Sequence, residues 1–155
     1  MTRTTTTKIS LAALAAAVLA APVTAPAQEA EPDNAIKFRQ SVMKGIGGPT
    51  GAVGGIVKGE VAHQELMAHF LDQLATAAEP QATTAAFRQN TADQGMAKTT
   101  ALPDIWENWD DFEERLQKLG EVTTAAAEAG ADVTQDQLKA IFDTCKGCHD
   151  EYRED

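Results

Sequence analysis

The sequence predicts an all-α fold, an antiparallel four-helix bundle. Three observations carry that reading. Apolar residues recur at helical spacing along four separate stretches. Capping signals open three of those stretches. No stretch shows the alternation of β-branched residues that marks a half-buried strand. Four amphipathic helices on short or irregular links bury their stripes by packing against one another, and antiparallel packing follows from the links.

The first helix is expected from about Asp33, an N-cap after Pro32, to Lys58. Its apolar face reads Ile36, Met43, Ile46, Val53 and Val57. Gly45, Gly47, Gly48 and Pro49 weaken its middle. An interior proline costs about 3 kcal/mol, so a kink is expected at Pro49. The second helix reads Leu66, Met67, Phe70, Leu71 and Leu74 and stops before Pro80. From Pro80 to Pro103 the chain reads as polar and irregular, with Phe87 as its isolated aromatic. A connection of that length in a compact bundle is expected to cover something.

The third helix opens at Pro103-Asp104, with Glu107 in the capping position, and ends at Gly130. Its stripe is Ile105, Trp109, Phe112, Leu116, Leu119 and Val122. The fourth opens on the capping box Thr134 to Gln137 and turns Leu138, Ile141, Phe142, Cys145, Cys148 and Tyr152 inward. The glycine-rich first helix and the long central segment suit a bundle with a rigid ligand in part of its core.

Residues 1–27 read as a cleaved export signal. Arg3 and Lys8 precede a small apolar run from Leu11 to Ala20, and Ala25-Pro26-Ala27 supplies the small-x-small cleavage pattern. The run is short of the ~20 apolar residues that span a bilayer. Residues 28–155 are then one bundle domain, expected in the periplasm and not in the membrane. Losing Arg3 and Lys8 from 13 basic residues, while keeping all 23 acidic ones, brings the net charge from −10 to −12. Such acidity disfavours nucleic acids and anionic membranes and favours solubility.

The chemistry is concentrated in Cys145-Lys146-Gly147-Cys148-His149, a C-x-x-C-H haem-attachment motif. On a helix, residues spaced by three and four share a face. Two thiols there can bond the two vinyl groups of a haem c, and the adjacent imidazole can bind its iron from the same side. A thiol–disulfide enzyme is the alternative from another class, but its cysteines would sit at a helix start after a strand. A zinc site would need more ligands than two cysteines and one histidine. His63 and His69 read as solvated or packing residues, as do Met67 and Met96. No nucleophile–base arrangement points to a substrate-converting enzyme.

With this motif near its C-terminus, the chain resembles cytochrome c prime, the class II c-type cytochromes. The resemblance rests on Cys145 through Arg153, on Phe38-Arg-Gln-Ser-Val-Met43, on Ile56-Val-Lys-Gly-Glu60 and on Leu102-Pro-Asp-Ile-Trp106. It implies one covalent haem c with His149 as the proximal iron ligand. It further implies that Arg39, with Gln40 beside it, lies near a haem propionate. Arg153 is the basic residue near the proximal ligand, Phe87 the pocket aromatic, and Met43 closes the distal face. The first helix would run unbroken through Pro49, and a homodimer would form through the first two helices. Two functions fit the family: electron transfer or binding of NO (and CO) at five-coordinate iron, or a low-spin electron carrier with Met43 as sixth ligand. The redox partner protein is not legible in the sequence.

Overall fold

A computed structural model describes residues 29–154. The expected signal peptide and its boundary at Ala27 lie outside the described residues. The described chain forms six α-helices: α1 (Pro32–Val57), α2 (Met67–Ala77), α3 (Pro80–Phe87), α4 (Asp104–Glu107), α5 (Trp109–Ala129) and α6 (Gln135–Tyr152). Among the described residues, the one β-type pairing is an isolated antiparallel bridge between Ala101 and Arg153.

The long helices α1, α2, α5 and α6 are the four predicted bundle members. α1 is a single helix through Pro49, with Pro32 in its first turn. Its N-cap is Glu31 rather than Asp33, and no side chain caps it. Asp33 instead accepts hydrogen bonds from the backbone N–H groups of Met96 (2.6 Å) and Ala97 (2.9 Å), which ties the central segment to α1. Two backbone donors hold its carboxyl below the usual range.

The central segment is more ordered than the sequence suggested. Pro80–Phe87 is a helix, opened by Pro80 at the first position and by the Glu79 carboxylate, which accepts from the N–H groups of Gln81 and Ala82. The third predicted helix is two helices, α4 and α5, separated at Asn108 (φ −118°, ψ 46°). Pro103 is the N-cap of α4, so the Asp104–Glu107 capping pattern is not used as a side-chain cap. Gly130, at φ 55°, ends α5 as expected. The Thr134–Gln137 capping box is fully formed at the start of α6.

α2 packs along both α1 and α5, α6 packs along α5, and α3 lies against α1 and α5. The core has two parts. One gathers Ile46, Val53, Ile56, Leu71, Leu74 and Ile141 with their neighbours. The other gathers Phe87, Ile105, Phe112, Leu116 and Tyr152. Met43 packs, half-buried, against both. Between these parts lies the site.

Candidate functional site

A cavity of about 640 Å³ is walled by α1, α5 and α6, with Phe87 from α3 and Thr99–Ala101 of the strap that precedes α4. The last turns of α6 present Cys145, Cys148 and His149 to it. Helical spacing explains their convergence, since steps of three and four return to one face. α1 supplies Arg39, Gln40 and Met43, and the end of α6 supplies Arg153. Every residue singled out in the sequence as a candidate therefore lines one cavity.

Both cysteines are half-buried, and burial raises both thiols, Cys148 to about 11 despite the opposing Arg115 cation. A thiol–disulfide enzyme lowers its attacking thiol, usually at a helix start. These thiols are raised and sit at a helix end, where the dipole disfavours a thiolate. Burial, helped by the Arg153 cation, also lowers the pKa of His149. A neutral imidazole with a free nitrogen lone pair is the form that binds a metal.

Arg39 carries the clearest sign of a missing partner. Its residue is 2 % exposed. Nη2 donates to Thr91 Oγ1 at 2.7 Å, while the guanidinium lies 5.3 Å from the ring centre of Phe87 and 5.2 Å from that of Trp106. Nη1 is buried with no protein acceptor. An unmatched buried N–H on a cation is costly, and an anionic oxygen in the cavity would satisfy it. Gln40 is turned elsewhere in part: its Nε2 donates to Lys98 O at 2.8 Å.

The glycines of α1 add a second observation. Gly47 and Gly51 line the cavity, and a Cβ built on either meets nothing within 4 Å. They leave open space along that wall that side chains would enter. A flat, largely apolar group with two attachment points, a metal and an anionic edge matches this donor set: two thiols, one imidazole and one unpaired guanidinium N–H.

The other histidines stand apart. His63 and His69 are exposed, paired with Glu65 and Gln73, and neither lines the cavity. Met67 is a core residue at 7 % exposure and Met96 lies in the strap at 93 %. Trp106 and Trp109 both pack, partly buried, against the cluster that holds Phe87 and Phe112. Trp106 Nε1 donates to Phe87 O at 2.9 Å, whereas Arg88 lies 4.7 Å from the Trp109 ring centre. Sequence reasoning did not single out Arg115 or Asp111 of α5. Arg115 lines the cavity and donates from Nη1 to Gly147 O at 3.1 Å, inside the C-x-x-C-H turn. The Asp-x-x-x-Arg spacing was visible, but it reads as an ordinary helix-surface pair.

Comparison with known proteins decides the family. The family model described as Cytochrome C′ matches residues 34–153. The chain belongs to the cytochrome c′ family. It is 31 % identical over 136 residues to cytochrome c′ of Halomonas halodenitrificans, covering 80 % of this chain and 98 % of that one. It is 36 % identical over 119 residues to cytochrome c-556 of Agrobacterium tumefaciens (strain apple 185), covering 74 % of this chain and 90 % of the relative. Among solved structures it resembles the nitric oxide complex of a point variant of cytochrome c prime from Alcaligenes xylosoxidans. There the TM-score is 0.66 at 27 % identity, over 83 % of this chain and 99 % of that one. Proteins of the cytochrome c′ family are four-helix bundles with a single covalently attached haem c. The cavity and its donors fit that group.

Proposed function

We propose that this chain is an exported, periplasmic monohaem cytochrome that transfers electrons and binds NO, and CO, at an iron with His149 as its only protein ligand. The convergence of Cys145, Cys148 and His149 on one cavity, which Arg39 with its unpaired Nη1 also lines, supports this reading. The family's cofactor supplies a one-electron iron couple and an open coordination position for a small neutral ligand.

The residues have distinct roles. Cys145 and Cys148 give two covalent anchors on one helical turn, which prevents cofactor loss outside the cell. His149 offers its nitrogen from the same turn. Arg39 would offer its unpaired Nη1 to a carboxylate of the group, while its Nη2 donates to Thr91. Phe87 and Met43 make the wall apolar, which disfavours charged ligands. Arg153 ends α6 with its N–H donating to His149 O at 3.1 Å, and its cation stands beside the imidazole.

A second reading is favoured by one observation. Met43 is half-buried and lines the same cavity, and a thioether there can serve as a sixth ligand, giving a low-spin electron carrier. Absorption spectra of ferric and ferrous protein, with and without NO, separate the two. The first reading expects a high-spin ferrous spectrum that NO changes. A low-spin ferrous spectrum that changes on Met43→Leu would support the second. In either case His63→Ala is expected to leave the spectrum unchanged, and a shift would count against His149 as the sole histidine ligand.

A further inference from the structure

The α5 residues Asp111 and Arg115 form a pair that the haem chemistry described so far does not use. Arg115 Nε donates to Asp111 Oδ2 at 2.6 Å. The same oxygen accepts from the hydroxyl of Tyr152 at 2.5 Å. Arg115 Nη1 then crosses to α6 and donates to Gly147 O at 3.1 Å. Its guanidinium also lies 5.6 Å from the Tyr152 ring centre. Cys148 and His149 thus sit between two points of α6, residues 147 and 152, both tied to one ion pair on α5.

The pair has a direction. Arg115 and Tyr152 line the cavity and Asp111 does not. The guanidinium is therefore nearer the attachment turn, with the carboxylate behind it. An exposed ion pair of this spacing adds little to stability. A fixed dipole beside a reducible centre acts differently, because it interacts unequally with two charge states.

We propose that Arg115 is a positioning residue for the haem site: held by Asp111 and Tyr152, it fixes the attachment turn through Gly147 and turns its positive end toward the cavity, favouring the reduced form of the bound group. The inference rests on the proposed haem site. Its test uses full-length exported holoprotein with Arg115→Met, Asp111→Asn and the two combined. Haem attachment is read first by absorbance, then the midpoint potential, then thermal stability.

Arg115→Met removes the cation and leaves the carboxylate, so the potential falls. Asp111→Asn unmasks the cation, so the potential rises. The double variant returns toward the parent. Potentials that stay unchanged, or that move in the same direction in both single variants, overturn the proposal, because a merely structural pair would lower stability without a signed shift. Should the charge variants not fold, Tyr152→Phe keeps the ring and removes the hydroxyl that shields Asp111. Its potential should fall slightly, and an unchanged value overturns the idea. Colourless parent protein would instead refute the haem site itself, so the two failures are distinguishable.

Discussion

A cation as buried as Arg39 costs free energy unless its N–H groups are met, and one of them has no acceptor in the polypeptide. This predicts opposite effects of Arg39→Met in two forms of the protein. Without cofactor, an apolar side chain relieves the desolvation and the melting temperature holds or rises. With cofactor, the variant loses a charge-assisted hydrogen bond worth about 1.5–3 kcal/mol, and the melting temperature falls. Thermal melts of both forms check this, and an equal loss in both would remove Arg39 from the site. The cysteines and His149 were legible from the sequence because their chemistry is local, set by spacing on one turn. Arg115 was not, because its partners Gly147 and Tyr152 lie on another helix. The resemblance named Arg39, but its burial between Phe87 and Trp106 depends on how α1, α3 and α4 meet.

Among the elements, α3 is held tightly at its start. A Cβ on Gly120 of α5 would fall 2.5 Å from Pro80 Cγ and 2.8 Å from Cδ, on a rigid ring. Gly120→Ala is therefore expected to push α3 from α5 and to destabilise the fold by about 1–3 kcal/mol, as overpacking does. Chemical denaturation would measure it, and a neutral or stabilising result would show that the contact yields freely. The four long helices were legible because their apolar stripes persist over several turns. α3 was not, since eight residues rich in threonine and alanine leave no stripe. Pro80 at its first position was the signal available. The break at Asn108 was equally hidden, because apolar spacing runs across it from Ile105 to Phe112. The strap after α3 is ordered by long-range bonds, Asp33 to Met96 and Ala97 and Gln40 to Lys98, which no local pattern encodes.

For the whole molecule, two features beyond the cavity bear on assembly. Phe38 on α1 is 58 % exposed, and Val61 and Leu66, between α1 and α2, are 44 % and 37 % exposed. Phe38 sits on the first of the two helices expected to form a homodimer, and Val61 and Leu66 sit in the link that joins them. Phe38→Lys should shift the protein toward the monomer, and light scattering across concentrations would record it; an unchanged mass would place any dimer contact elsewhere. The acidic balance, −10 for the full chain, opposes non-specific self-association, so such contacts need apolar surface. The cavity between the two parts of the core gives the overall account its main demand: something covalently held by Cys145 and Cys148 should complete the interior. The intact mass of denatured protein, exported by a host competent in cytochrome assembly, tests that demand most directly. The expected mass is that of the processed polypeptide plus one haem; the mass of the bare polypeptide, with thiols free or joined as a disulfide, would refute covalent attachment.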